Sequence, residues 1–309
     1  MSYVQPPAVV ESMVAMGTKK AHLGRGQLVL RGTLGGMFLG VATTLALTAS
    51  VQTGVPMVGA LLFPVGFVMV LLLGFEMVTG SFAVVPLAVL ERRATAVEML
   101  RAFWWVIVGH LIGGLLYGAL FAAVVTQMWT TPEAPVAQAL VDLAVHKTLD
   151  YQPLGAAGIV LVLIKAVLAN WLVGTGVVMG LTSTSTGGKI AAMWLPVMTF
   201  FALGLEHGVV NFFVIPGAML VGAPIGLGDW WLWNQIPALV GNFIGALTLV
   251  ALAMRVAHRP LVAPASGAAP AAPTPGSVAP PAIEASPAIE ASPVGEASPA
   301  PATVEAGVR

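Results

Sequence analysis

Runs of about 20 apolar residues, the length that carries a helix across roughly 30 Å of hydrocarbon, recur along the first 254 residues of this chain. Strands of a membrane barrel would alternate polar and apolar positions in short segments, and these runs do not. A chain that is 58% hydrophobic and 8% charged would expose large apolar patches as a soluble domain. The fold class expected is therefore all-α integral membrane.

Six transmembrane helices are expected, at 33–54, 58–90, 103–125, 156–181, 190–221 and 235–254. The second is too long for one straight crossing. Gly74, Thr79, Gly80 and Ser81 are poor interior helix formers and Pro86 follows, so it reads as a broken helix. The fifth matches it. Gly74-Phe75-Glu76 and Gly204-Leu205-Glu206 share a Gly-x-Glu pattern, and Pro86 and Pro216 each lie ten residues past the glutamate, so one offset of 130 aligns the two. Gly109-His110-Leu111-Ile112-Gly113 in the third span is echoed by Gly241-Asn242-Phe243-Ile244-Gly245 in the sixth, a small-residue spacing suited to close helix packing. Halves of three crossings have opposite orientations, which predicts two inverted three-helix repeats with sites at the midplane breaks.

Lysine and arginine mark the cytoplasmic side. Lys19 to Arg31, Arg92 to Arg101, Lys189 and Arg255 to Arg259 all fall on one face of a six-span protein, which puts both termini in the cytoplasm of a cell with the chain in its plasma (inner) membrane. The acidic loop after the third span and the Trp230, Trp231, Trp233 cluster fall on the other. Residues 1–32 read as an N-terminal interfacial helix, 33–259 as the six-helix unit, and 260–309 as a disordered tail rich in Pro, Ala, Ser and Glu. In that tail the hexad Ala-Ile-Glu-Ala-Ser-Pro occurs at 282–287 and 288–293, with a variant at 294–299.

Zero net charge suggests no nucleic-acid partner, and the absence of cysteine excludes disulfides and thiolate metal sites. The stretch from Thr182 to Lys189 lacks the first glycine and the final Ser/Thr of a phosphate loop. No metal-ligand spacing of histidines and no Ser-His-Asp arrangement occurs, so neither an enzyme nor a metal or other cofactor is expected. The chemistry concentrates instead in Glu206-His207, side by side within an apolar span and followed by Gly208. Ionisable groups at bilayer depth face a cavity or a partner. His207 then either lines a passage or donates a helix-to-helix hydrogen bond.

With Asn170-Trp171-Leu172-Val173, Gly187-Gly188-Lys189-Ile190, and Leu205-Glu206-His207-Gly208-Val209-Val210-Asn211-Phe212-Phe213-Val214-Ile215-Pro216, residues 8–257 resemble the formate/nitrite transporter family. The resemblance implies an aquaporin-like homopentamer in which each protomer holds its own pore for small monovalent anions such as formate and nitrite. It implies that His207 faces the pore, that Thr79 lies on the loop breaking the second span, and that Asn170 belongs to the site. Phe63, Phe67 and Phe200 look like constrictions on the two sides of the histidine. The family's vestibule lysine has Lys147 as its possible equivalent. Lys165 has no match, and either lines the pore, snorkels, or pairs with Glu76 or Glu206.

A carboxylate loses much hydration in an apolar ring, and protonating it removes most of that cost. The expected function is a channel or transporter for small monovalent anions, with lysine drawing the anion and His207, whose reference pKa of about 6.5 allows exchange near neutrality, bonding to it or passing it a proton. Glu76, Glu206 and Asn211 are expected to be structural at the helix breaks, the carboxylates accepting from freed backbone N–H groups. The alternatives are a pore for water, glycerol or ammonia, against which stands the absence of an Asn-Pro-Ala pair, and a non-conducting scaffold.

Overall fold

The computed structural model describes residues 3–258, so the tail expected at 260–309 lies outside the described residues. Eleven helices follow in order: α1 Pro6–Ala21, α2 Arg25–Thr53, α3 Pro56–Leu62, α4 Pro64–Leu72, α5 Val78–Leu90, α6 Ala96–Val125, α7 Pro135–His146, α8 Ala156–Leu181, α9 Thr186–Ala202, α10 Gly208–Leu220 and α11 Leu227–His258. α2, α6, α8 and α11 are each long and apolar enough to cross a bilayer. Their outward faces carry Val41, Leu45, Leu115, Leu116, Leu120, Leu161, Ile164 and Leu168, all exposed. No strand occurs among the described residues.

Local chemistry sets the boundaries. Proline at the first turn, where no N–H is needed, starts α1, α3, α4 and α7. Thr95 and Glu98 close a capping box on α6, with Glu98 N–H donating to Thr95 Oγ1 at 3.2 Å and Thr95 N–H to Glu98 Oε2 at 2.8 Å. Between α4 and α5, Gly74 takes φ 70° and Phe75 N–H closes onto Val70 O at 2.9 Å. Between α9 and α10, Gly204 takes φ 60° and Leu205 N–H closes onto Phe200 O at 3.3 Å. A side chain with Cβ resists this left-handed backbone, which is why glycine stands at both aligned positions.

The two halves pack alike. α2 lies against α6 and α8 against α11. A Cβ at Gly109 would sit 2.5 Å from Val29 O, and one at Gly241 would sit 2.5 Å from Leu163 O. The glycines echoed in sequence thus allow backbone to meet backbone in both pairs. α1 packs on α5 and α7 on α10, while α5 packs on α11 and α10 on α6, so each half closes over the other.

Four boundaries differ from expectation. α2 begins at Arg25, ahead of residue 33, so a boundary at 32 falls inside a helix. α6 begins at Ala96, seven residues before the expected 103. α11 begins at Leu227 and takes in Trp230, Trp231 and Trp233. α7 occupies what composition reads as an acidic loop. In each case backbone hydrogen bonding continues where hydropathy stops; in α7 the polar Gln138, Asp142 and His146 face outward while Ala137, Leu140 and Ala144 are buried.

Candidate functional site

The N-termini of α5 and α10 meet inside the molecule. His207 caps α10, and its Nδ1 accepts the Val210 N–H at 3.4 Å. An accepting Nδ1 assigns the neutral ring's proton to Nε2, which lies 2.9 Å from Thr79 Oγ1 in the first turn of α5. His207 Nε2–H therefore donates to the threonine, leaving the Thr79 hydroxyl proton for another acceptor. The Thr79 carbonyl accepts from Asn170 Nδ2 at 3.1 Å, and the same amide donates to Asn242 O at 2.7 Å. Asn170 Oδ1 is buried without a partner.

Beside the imidazole lies a cavity of about 90 Å³ lined by Leu143, His146, Lys147, Phe200, Phe201, Gly204, Leu205, His207 and Val210. At about 30 Å³ per water molecule, that is room for a few waters or one very small ion. Its wall holds one ammonium, one buried imidazole and otherwise mostly apolar surface.

Lys147 is held by Glu206. The carboxylate Oε2 accepts from Lys147 Nζ, Asn211 Nδ2 and Asn234 Nδ2, each at 3.0 Å, and Oε1 accepts from Tyr151 Oη at 2.8 Å. A carboxylate has about four lone-pair sites, and the four donors meeting Glu206 all favour its anion. Tyr151 lies in the turn Leu149–Leu154, where burial, with Glu206 adding to it, holds the phenol above its usual range and keeps it a donor. Tyr151 Oη in turn accepts from Lys165 Nζ at 2.9 Å.

The aligned half repeats this plan with different residues. Glu76 accepts from Lys20 and, at 3.3 Å, from Ser81 Oγ, as Glu206 accepts from Lys147 and Asn211. Val78 N–H donates to His110 Nε2 at 3.0 Å, and Gly208 N–H to Asn242 Oδ1 at 2.8 Å. His110 Nδ1–H then donates to Gly32 O at 2.8 Å, which fixes that ring as neutral. These contacts correct the expectation that the glutamates accept freed backbone N–H groups. A neutral imidazole or amide suffices for a backbone donor, whereas a buried carboxylate gains more from a lysine. The symmetry fails where the chemistry sits: at the offset of 130, His207 faces Met77 and Thr79 faces Val209.

Of the residues singled out in sequence, His207, Thr79, Asn170, Lys147, Glu206, Asn211 and Phe200 come together. Lys165 does not line the cavity and stands behind Tyr151. Phe63 lies edge-on to Phe200 at 5.5 Å and stacks on Phe201 at 4.0 Å, and Phe200 lies 5.3 Å from the His207 ring. These rings form one cluster, so Phe63 and Phe200 do not bracket the histidine. Phe67 is a turn further along α4, against Gly176. Around Gly80 the buried apolar side chains are Met77 and Val177. Tyr151, Asn234 and Lys20 were not foreseen. His110 and Asn242 were legible as an echoed pair, though not as helix caps.

The sequence model of the family described as formate/nitrite transporter matches residues 7–256. The chain is 32% identical over 272 residues to the uncharacterized transporter YrhG of Bacillus subtilis (strain 168), covering 84% of this chain and 95% of that protein. It is 29% identical over 268 residues to a probable formate transporter of Methanothermobacter thermautotrophicus, covering 81% of this chain and 95% of that one. Its fold matches a solved pentameric formate channel with formate bound at a TM-score of 0.63 and 19% identity, over 76% of this chain and 97% of that structure. With its long apolar helices this is a multi-pass membrane protein, and the chain belongs to the formate/nitrite transporter family.

Proposed function

We propose that the protein is a transmembrane channel or transporter for small monovalent anions of the formate and nitrite class, each protomer conducting through the cavity beside His207. The observation that carries this is the contact of His207 Nε2 with Thr79 Oγ1, made where two helix N-termini converge next to a buried lysine. Helix N-termini carry partial positive charge, so α5 and α10 both favour an anion between them. Lys147 presents the one ammonium of the cavity wall to the anion. Phe200, Phe201 and Phe63 exclude water on the way to the imidazole. Asn170 holds the Thr79 backbone.

Neutral His207 gives the anion a hydrogen bond by turning Nε2–H from Thr79 Oγ1 to the anion, and the free Thr79 hydroxyl proton donates beside it. Giving it a proton requires the ring first to take one up at Nδ1 from water, which breaks the long Val210 bond. Nε2 passes its proton to the anion and the ring is left as its Nδ1–H tautomer, to be reset by water. The anion then leaves as its neutral acid. Glu206, held as an anion by its four donors, takes no part in proton transfer.

In this reading α2, α3–α5, α6, α8, α9–α10 and α11 are six crossings, the second and fifth broken, in two inverted aquaporin-like repeats. α1 lies at the cytoplasmic interface, both termini are cytoplasmic, the protein resides in the inner membrane, and five copies associate. The family membership and the pentameric structural neighbour support this arrangement. Stopped-flow flux into liposomes tests the function. Formate and nitrite should enter well above the protein-free rate while glycerol stays at it; glycerol permeation without anion flux would instead identify a neutral-solute pore.

A further inference from the structure

Glu206 and Lys147 cancel each other's charge, so a site built from that pair alone would offer an approaching anion no net attraction. The structure adds an arm to it. Lys165 of α8 donates to Tyr151 Oη at 2.9 Å and stands 5.4 Å from the centre of the Tyr151 ring, and Tyr151 Oη donates to Glu206 Oε1 at 2.8 Å. An ammonium has only donors and an ionised carboxylate only acceptors, so every bond in this arm has one possible direction. The Glu76 carboxylate, among the described residues, has only Lys20 and Ser81 and no such arm. The other titratable groups facing this cluster are His207, neutral in its hydrogen bonds to Val210 and Thr79, and His146 and Asp150, which lie 3.0 Å apart at the surface.

We propose that Lys165 is a charge-setting residue for anion capture: held through Tyr151 behind Glu206, it leaves the Lys147–Glu206–Lys165 group with one net positive charge beside the cavity. It touches no anion itself. Its field is felt through a half-buried, weakly screened region, where a unit charge counts for more than at the open surface. Tyr151 is the positioning residue, fixing the distance between the second cation and the carboxylate.

This inference rests on the anion-channel reading, and the experiment separates the two. Initial formate uptake is measured against formate concentration in liposomes holding the full-length wild type, Lys165→Met and Lys165→Arg, with assembly checked by size exclusion. Lys165→Met should raise the KM by about three- to ten-fold with little change in the maximal rate, and the difference should shrink at high ionic strength. Lys165→Arg should restore the wild-type KM. A KM for Lys165→Met equal to wild type overturns the inference while leaving the channel intact, whereas a wild type that conducts no anion defeats the channel reading itself. Should Lys165→Met fail to assemble, Lys165→Gln, which keeps a donor for Tyr151 Oη, carries the same comparison.

Discussion

Replacing His207 with phenylalanine should cut formate flux by about 100-fold or more while leaving the protein assembled, the order of loss seen when a positioned proton-transfer group is removed. The two expectations have separate causes. An aromatic ring of similar size keeps the packing against Phe200, whose ring centre is 5.3 Å away, and the Val210 N–H loses only a 3.4 Å bond. Function has no such substitute. Without the imidazole the anion meets the aromatic cluster with no route to its neutral acid, and most of the cost of carrying a carboxylate through an apolar site returns. Thermal stability and flux measured on the same preparation check both halves. A variant that conducts formate at the wild-type rate would falsify the role given to the imidazole.

Glu206→Gln should act the other way, damaging the fold first. Glu206 is fully buried and Lys147 nearly so. Removing the carboxylate charge leaves an ammonium buried and unpaired, and breaking such a pair from one side costs about 3–5 kcal/mol. For a chain of this size that corresponds to a fall of roughly 6–20 °C in the melting temperature. Lys147→Met in the same molecule removes the stranded charge and should recover much of that loss, because replacing a whole buried pair by apolar groups is close to neutral. Melting curves of the two single variants and the double variant in detergent measure the coupling. If Glu206→Gln melts with the wild type, the carboxylate is not what holds Lys147.

Much of this arrangement is legible in the chain because it depends on local rules. Gly74 and Gly204 announce left-handed turns, the Gly-x-Glu pair and the prolines ten residues on reveal the duplication, and the paired glycines of α6 and α11 mark where backbones meet. α8 begins and ends where hydropathy alone puts it. What stays hidden depends on partners distant in sequence. Lys20 reads as one of several cytoplasmic cations, yet its side chain is only 13% exposed because Glu76, 56 residues away, neutralises it. Lys147, Tyr151 and Asn234 converge on Glu206 from separate elements, and no spacing rule links them. α7 is missed because a short helix with one buried face reads as a polar loop when it opens on Pro135 and acidic residues stand in and around it. Phe63 and Phe200 can both be singled out from the family resemblance, but only the packing of α3 and α4 against α9 shows that they touch.

The central claim is that an anion crosses by borrowing a proton at His207. The measurement that meets it most directly is lumenal pH in liposomes carrying the protein, with an inward formate gradient and a trapped indicator. Entry as the neutral acid predicts acidification in step with uptake, beyond that of protein-free vesicles and abolished in His207→Phe. Formate uptake with no lumenal acidification, sustained only when an ionophore relieves the membrane potential, would contradict it.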